Sequence, residues 1–141
     1  MRYVFDSNVA IKWVLPEADS PQALRLRDLA RQGSIELCSP EIFAVEAAHA
    51  LSRAERRGVI RPPNGAKHLA DIMTHRPRLV PSLPLLSRAF EISSAFRIGV
   101  YDCLYVALAE REACELITAD LRLVNALGAS FPFIRDLASV P

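Results

Sequence analysis

The sequence predicts an α/β fold, a three-layer α/β/α sandwich around a central, mainly parallel sheet. Short apolar runs of strand type alternate along the chain with longer segments of helical periodicity, an order typical of parallel sheets with helical crossovers. Such crossovers are right-handed, so helices are expected on both faces of the sheet. With 141 residues the chain has the size of one domain, and we expect a single unit over residues 1–141.

The first part of the chain is predicted to contain two strands and three helices. Ser20-Pro21 and Ser39-Pro40 are typical helix starts, because proline lacks an N–H that the first helical turn leaves unpaired. Glycine is a typical residue just after a helix, as at Gly33 and Gly58. The predicted strands lie at residues 3–5 and 35–38, and the predicted helices at 7–14, 20–32 and 39–58.

The second part of the chain is expected to begin after a break at Pro62, Pro63 and Gly65. The run VYDCLYVALA, residues 100–109, carries a single charge and belongs to a strongly apolar helix. The predicted helices lie at residues 66–75, 84–96, 100–112 and 121–127, and the predicted strands at 79–80, 116–118 and 133–134.

The composition excludes several classes of protein. A hydrophobic fraction of 51% with 23% charged residues is ordinary for a globular chain, and a net charge of +1 gives no strong overall field toward nucleic acid or membrane. No stretch reaches the roughly 18 apolar residues of a membrane span, and the N-terminus lacks the uninterrupted apolar run of a secretion signal. The three cysteines have no C-x-x-C spacing, which favours a reducing compartment. We therefore expect a cytoplasmic protein.

Four acidic residues stand where a carboxylate is costly or is well placed to bind a ligand. Asp6 and Asp120 follow the ends of predicted strands, and open parallel sheets bind ligands beyond those ends. Glu46 shares a helix face with apolar residues three and four positions before it, so it is predicted to face inward. Asp102 is the only charge in its apolar run. A carboxylate that faces a core is costly unless it is paired or bound to a metal.

Each acid also has a purely structural explanation. Asp6 and Asp102 have the residue type of helix N-caps, Asp120 is placed to cap the helix after it, and Glu46 is able to pair with an arginine. Clustered carboxylates repel one another, however, and a hard cation such as Mg²⁺ or Mn²⁺ relieves that repulsion. Such metals activate water and stabilise the leaving oxygen in phosphodiester hydrolysis. The four acids together therefore predict a metal-dependent catalytic site.

Polar residues beside these acids are candidates to orient the carboxylates or the water around a metal. The alternative is that these residue types simply favour turns after strands. The supporting candidates are Ser7, Asn8 and Thr118.

A cationic stretch follows Glu46 by two helical turns. Arginine contacts with phosphate position a nucleic-acid strand, so Arg53, Arg56 and Arg57 are candidate RNA phosphate contacts. The alternative is a solvated helix end, where cations are favoured by the helix dipole.

The segments VFDSNVAIKW, SPEIFAVEAAHAL, YDCLYVALAE and LITADLRL resemble, in order and spacing, the PIN-domain family, specifically VapC-type toxin ribonucleases. The resemblance spans nearly the whole chain. It implies a Mg²⁺- or Mn²⁺-dependent endoribonuclease with one or two ions, the toxin of a type II toxin–antitoxin pair. It further implies a homodimer that acts on RNA and is inhibited by a small antitoxin protein. The implied acidic site is Asp6, Glu46, Asp102 and Asp120, supported by Ser7, Asn8 and Thr118.

The chain departs from this family at one place and leaves two alternatives open. Many relatives carry a further acid just after the fourth, where this chain has Leu121, Arg122 and Leu123, so the resemblance implies a less complete second metal site. One alternative is a non-catalytic PIN-like module that binds RNA or a partner. The other is a receiver-like signalling domain, but this chain has no acidic pair beside Asp6 and no lysine after Lys67.

Overall fold

Five parallel strands form the middle layer of the fold. In the computed structural model, which describes residues 1–141, they are Arg2–Phe5 (β1), Glu36–Pro40 (β2), Arg78–Val80 (β3), Glu115–Thr118 (β4) and Ile134–Asp136 (β5). Their order in the sheet is β3-β2-β1-β4-β5, and every neighbouring pair is parallel. The chain therefore moves outward from β1 to β3 and returns to β4 on the other side of β1. The carboxyl ends of β1 and β4 form the switch point where such sheets bind ligands.

Seven α-helices and two short 3₁₀ turns connect the strands. The helices are Ser7–Val14 (α1), Ser20–Arg31 (α2), Ile42–Arg56 (α3), Asn64–Thr74 (α4), Leu86–Phe96 (α5), Val100–Glu112 (α6) and Leu121–Leu127 (α7), and the 3₁₀ turns are Leu83–Leu85 and Leu137–Ser139. No single helix is long and apolar enough to cross a membrane. The one apolar stretch of that length, Leu83–Phe96 with Val100–Glu112, is bent by 119° between its two helices.

The sheet is covered by helices on both faces. Successive residues of β1 and β4 enter opposite apolar clusters: Val4 and Leu116 pack with α5, α6 and α7, whereas Phe5 and Ile117 pack with α1, α2, α3 and α4. All four of these side chains are fully buried. This is the expected state of a parallel sheet between two helical layers, and it confirms the predicted α/β/α sandwich.

Several predicted elements have the predicted bounds, namely the helices at residues 7–14, 100–112 and 121–127. The prediction that Ser39-Pro40 begins a helix is wrong. Both residues belong to β2, and α3 begins at Ile42. The Ser39 hydroxyl is fully buried and donates a hydrogen bond to the carbonyl oxygen of Phe5 at 2.6 Å. It therefore ties two strand ends together instead of capping a helix.

The expected break through Gly65 and the bounds of three later elements also differ. Gly65 lies in the first turn of α4, where an added Cβ would collide with the Glu55 carboxylate on α3. The predicted helix at residues 84–96 divides into a 3₁₀ turn and α5. It ends at Phe96 as predicted and is followed by Arg97, whose φ of 57° is left-handed. The third and last strands cover residues 78–80 and 134–136 instead of 79–80 and 133–134.

Candidate active site

The carboxyl ends of β1 and β4 place Asp6 against Thr118. The Asp6 backbone N–H donates to the Ile117 carbonyl at 3.0 Å, which extends the ladder one residue past β1. The Thr118 hydroxyl donates to Asp6 Oδ2 at 3.1 Å and accepts from the Asp120 backbone N–H at 3.1 Å. One fully buried hydroxyl therefore connects the two strand-end acids.

The other two supporting candidates also lie against Asp6. The Ser7 hydroxyl is 3.4 Å from Asp6 Oδ1. The Asn8 amide donates to Thr118 Oγ1 at 3.3 Å and accepts from the Ala119 backbone N–H at 3.1 Å. The structure thus brings Ser7, Asn8 and Thr118 together at the β1–β4 edge, where Asn8 and Thr118 hold the loop before α7 against the start of α1.

The capping explanation applies to two of the acids and is wrong for a third. Asp6 caps α1 by accepting from the Asn8 backbone N–H at 3.4 Å, and Asp120 caps α7 by accepting from the Arg122 backbone N–H at 3.0 Å. Asp102 is not a cap, because α6 begins after Gly99 and Asp102 lies within its first turn. The half-buried position of Asp102 therefore has no capping role to explain it.

Glu46 has a partner that the sequence did not indicate. Pairing with an arginine, its structural alternative, is not what the structure shows. Glu46 Oε1 accepts a hydrogen bond from the Tyr105 hydroxyl at 2.6 Å. Tyr105 lies in the apolar run of α6 and is fully buried. The available signal was chemical, since a buried tyrosine needs a polar partner for its hydroxyl.

The carboxylates act on one another electrostatically. Burial, followed by the charges of Glu46 and Asp102, raises the pKa of Asp6 from 3.8 to about 7. Burial and then the Asp102 charge raise the pKa of Glu46, although the Tyr105 hydrogen bond opposes this. Burial and then the Asp120 charge raise the pKa of Asp102. The charges of Asp6, Glu46 and Asp102 thus act on one another, and the charge of Asp120 acts on Asp102.

Few cations offset this charge. Arg122 Nε lies 3.5 Å from Asp120 Oδ1, but its side chain is 94% exposed, so the pair is well screened by water. Arg122 also lowers the pKa of Asp102. Lys12 is engaged elsewhere, since its ammonium donates to the Ala18 carbonyl at 2.8 Å and lies 3.8 Å from Glu17. The acidic cluster is therefore only partly neutralised.

The donor set fits a hard divalent cation in its chemistry, though not as a closed cage. No group of three or more acidic, histidine or cysteine side chains is arranged to hold a metal as it stands. Mg²⁺ does not need such a cage, because proteins usually bind it through one or two carboxylates together with waters and substrate phosphates. Burial and then the charges of Glu46 and Asp102 raise the pKa of Asp6, and a cation at these oxygens would offset the charge contribution.

Cavities open on both sides of Asp120. One, of about 330 Å³, is lined by Asp102, Asp120 and Arg122. A second, of about 430 Å³, includes Ser7, Asn8 and Asp120 in its walls. A third, of about 460 Å³, shares Ile11, Glu17 and Ala50 with the second and is lined further along by Arg53 and Arg57. We call the second and third cavities together the side groove.

The three candidate arginines do not all face the side groove. Arg53 and Arg57 line it, whereas Arg56 donates to the Ser52 hydroxyl at 2.8 Å. All three are exposed. Many other arginines form ion pairs, such as Arg88 with Glu110 at 2.8 Å. Arg53 and Arg57 are therefore the two of the three that line the side groove.

Comparison with known proteins then decides the family. The model of the PIN domain matches residues 3–127. The chain belongs to the PIN-domain family. Ribonuclease VapC3 of Pyrobaculum aerophilum is 32% identical to this PIN-domain protein over 127 residues, which are 89% of this chain and 94% of the relative. Ribonuclease VapC9 of Mycobacterium tuberculosis is 29% identical over 129 residues, 92% and 94% of the two chains.

Solved structures share the fold of this PIN-domain protein almost from end to end. PAE2754 from Pyrobaculum aerophilum superposes with a TM-score of 0.71 at 18% identity, covering 99% of this chain and 94% of that one. VapBC2 from Rickettsia felis, bound to a DNA fragment from its promoter, gives a TM-score of 0.65 at 16% identity, with 96% and 98% coverage. Membership of the PIN-domain family removes the receiver-domain alternative.

Proposed function

We propose that this chain is a metal-dependent endoribonuclease and the toxin of a type II toxin–antitoxin pair. The observation that carries the proposal is the position of Asp6, a buried carboxylate at the β1–β4 switch point whose pKa is raised to about 7 by burial and by Glu46 and Asp102. Relatives that align over most of the chain are named VapC ribonucleases, which supports RNA as the substrate. The proposed unit of function is the whole chain, residues 1–141.

The proposed metal ligands are the four acids, with Asp6 at their centre. A bound Mg²⁺ or Mn²⁺ supplies the Lewis acidity and the activated water that phosphodiester hydrolysis requires. Thr118 and Ser7 approach different oxygens of the Asp6 carboxylate and thereby set its orientation. Asp102 and Glu46 contribute negative charge beside Asp6.

One ion is better supported than two. A second ion would need further negative charge near Asp120. The residue two positions after Asp120 is instead the cationic Arg122. Its guanidinium lines the same cavity as Asp102 and Asp120. The charge of Arg122 therefore disfavours a second cation in that cavity.

The side groove is the proposed path of the RNA strand to the acids. Its near end is lined by Asp120 and its far end by Arg53 and Arg57. Arginine forks suit phosphate oxygens, and neither of these two is engaged by a carboxylate in an ion pair as Arg88 is. Arg56, whose guanidinium is held by Ser52, is a weaker candidate for phosphate contact.

The proposed partners are a small antitoxin protein and a second copy of the chain. Structures similar to this fold include a toxin–antitoxin complex from Klebsiella pneumoniae and VapBC2 from Rickettsia felis, which supports the antitoxin. The homodimer is supported by exposed apolar side chains on and beside α5 and α6: Leu83, Phe90 and Tyr101 are 79%, 65% and 62% exposed. The three free cysteines support a reducing, cytoplasmic location.

One observation favours a second candidate, the non-catalytic PIN-like module. The acids do not form a ready-made metal cage, so an RNA- or partner-binding role without turnover remains a distinct hypothesis. The two candidates differ in whether RNA is cut.

An RNA-cleavage assay separates them. Purified protein is incubated with single-stranded RNA in EDTA and then with excess Mg²⁺ or Mn²⁺, beside Asp6→Asn and the control Asp71→Asn, a surface acid on α4. Catalysis predicts cleavage that requires metal, is lost in Asp6→Asn and persists in Asp71→Asn. RNA binding without metal-dependent cleavage in the unaltered protein would favour the non-catalytic module.

A further inference from the structure

Tyr105 joins two layers of the fold next to the acidic cluster. Its ring belongs to the apolar cluster under α5, α6 and α7, and the side chain is fully buried. Its hydroxyl leaves that cluster and donates to Glu46 on α3, a helix whose core residues Phe43 and Ala47 pack on the opposite face of the sheet. The hydrogen bond therefore crosses the carboxyl edge of the sheet, where Asp6 also lies.

The geometry of this contact is that of a strong hydrogen bond. The distance of 2.6 Å between Tyr105 Oη and Glu46 Oε1 falls in the range of about 2.5–2.7 Å for a hydroxyl that donates to a carboxylate. The bond engages one oxygen of Glu46 and leaves Oε2 available for another ligand. No arginine or lysine forms an ion pair with Glu46, so Tyr105 is its direct side-chain anchor.

Ser7 and Asp6 stand next to this pair. The Ser7 hydroxyl is 3.4 Å from Asp6 Oδ1. After burial, the charge of Glu46 contributes most to the raised pKa of Asp6, as expected of two neighbouring carboxylates. Asp6, Ser7 and Tyr105 are buried and Glu46 is half-buried, so these four residues form one polar group at the edge of the apolar core. Such a group is costly unless every member has a partner.

Repulsion makes an anchor necessary. Two carboxylates that share a site without a cation repel each other, and the glutamate side chain has enough rotational freedom to turn away toward water. A fixed donor on the opposite layer prevents this turn. We propose that Tyr105 is a positioning residue whose hydroxyl holds the Glu46 carboxylate beside Asp6, so that the two carboxylates bind one divalent cation. This inference rests on the proposed function, because it presumes a cation at the acids.

A merely structural tyrosine would behave differently. In that case the hydrogen bond would only satisfy a buried phenol, and its removal would change stability without changing metal affinity. Binding of Mn²⁺ to the RNA-free protein, followed by electron paramagnetic resonance of the free ion, distinguishes these roles because it does not depend on catalysis.

The first test compares Tyr105→Phe with Tyr101→Phe. The phenylalanine at 105 retains the ring in the core and removes only the hydroxyl, whereas Tyr101 is 62% exposed on the same helix and serves as the control. Loss of a group that orients a metal ligand weakens metal affinity by about 10-fold to 100-fold. We expect that loss for Tyr105→Phe and an unchanged affinity for Tyr101→Phe.

The second test asks whether Tyr105 acts through Glu46. In a Glu46→Gln background, Tyr105→Phe is expected to cause less than about a twofold further loss of Mn²⁺ affinity, because the two changes act on one interaction. Glu46→Asp provides an independent variant, since it retains the carboxylate but withdraws it from Tyr105 by one methylene. It is expected to weaken Mn²⁺ binding by a similar factor. It therefore still tests the inference if Tyr105→Phe does not fold.

The outcomes separate this inference from the proposed function. The inference is overturned if Tyr105→Phe or Glu46→Asp binds Mn²⁺ as tightly as the unaltered protein does. It is also overturned if Tyr105→Phe lowers the Mn²⁺ affinity equally in the unaltered protein and in the Glu46→Gln background. If the unaltered protein cuts RNA in either of those cases, the proposed function stands. If the variants lose Mn²⁺ affinity as expected but the unaltered protein cuts no RNA, the inference stands and the nuclease proposal fails. An unaltered protein that binds no Mn²⁺ overturns both.

Discussion

The Thr118 hydroxyl donates a hydrogen bond to Asp6 Oδ2 at 3.1 Å and so fixes the carboxylate at the end of β1 from the end of β4. The Thr118 hydroxyl oxygen in turn accepts a hydrogen bond from the Asp120 backbone N–H at 3.1 Å. The two strand-end acids are therefore held by one buried side chain that the parallel pairing of β1 with β4 brings into place.

Thr118→Val is expected to lower both stability and metal affinity. Valine has nearly the same shape but removes the donor to Asp6 and the acceptor for the Asp120 N–H, and a buried unsatisfied group costs about 1–3 kcal/mol. Urea denaturation measures the loss of unfolding free energy, and Mn²⁺ titration the loss of affinity. Thr74→Val, which removes an exposed bond to the Ala70 carbonyl on α4, is the matched control. Equal effects of the two substitutions on stability and Mn²⁺ affinity would contradict the role of Thr118 in holding Asp6 and Asp120.

The raised pKa of Asp6 predicts that the stability of the metal-free protein depends on pH. Its pKa rises from 3.8 to about 7 on folding, so the folded state binds the proton more tightly and the free energy of unfolding falls as the pH rises through that window. Asp6 should make the protein less stable at about pH 8 than at about pH 5, by on the order of 2 kcal/mol. Asp6→Asn, which retains a good helix cap, should remove most of this difference.

Urea denaturation in EDTA at both pH values measures this difference in the free energy of unfolding. Parallel pH profiles for the unaltered protein and Asp6→Asn would contradict the raised pKa of Asp6.

Arg122→Gln is expected to strengthen Mn²⁺ binding. The substitution removes a positive charge beside Asp102 and Asp120, and like charges at an exposed site interact modestly, so we expect a gain of about two- to fivefold at low ionic strength. The gain should shrink as salt is added. Arg25→Gln, on the outer surface of α2, should change nothing. Weaker Mn²⁺ binding by Arg122→Gln would mean that the arginine supports the site.

The side groove predicts which arginines hold RNA. In an Asp6→Asn protein kept in EDTA, the combined change Arg53→Gln and Arg57→Gln should reduce affinity for single-stranded RNA and lower the salt dependence by about one unit per lost phosphate contact. Arg56→Gln should have the smaller effect, because Ser52 already engages that side chain. Fluorescence anisotropy at several salt concentrations gives both quantities. An effect of Arg56→Gln that matches the double change would disprove the proposed path.

The strand-end acids could be predicted because they depend on topology alone. Alternating elements imply a parallel sheet, and the residue after each strand then lies at its carboxyl edge, as Asp6 does after β1. The helix at residues 100–112 could also be predicted, because the apolar run at residues 100–109 and its single acid, Asp102, are local features of the sequence. The spacing of apolar residues also indicated that Glu46 lies on the inward face of its helix.

Long-range contacts could not be predicted in the same way. Tyr105 and Glu46 are separated by 59 positions, and no pattern within either helix gives the distance between them. Gly65 was assigned to a break because its helix propensity is poor, whereas it lies in α4 at a point where the Glu55 carboxylate leaves no room for a Cβ. Ser39 resembled a helix cap, but its hydroxyl bonds to a neighbouring strand.

Titration of the metal-free protein with Mn²⁺ at about pH 8, above the raised pKa of Asp6, tests the central claim most directly, because metal binds the deprotonated carboxylate. Electron paramagnetic resonance is recorded for the unaltered protein, Asp6→Asn and Asp71→Asn. The account predicts saturable binding by the unaltered protein and by Asp71→Asn, with affinity reduced at least about 100-fold in Asp6→Asn. Equal Mn²⁺ binding by all three proteins, or none by the unaltered one, would contradict it.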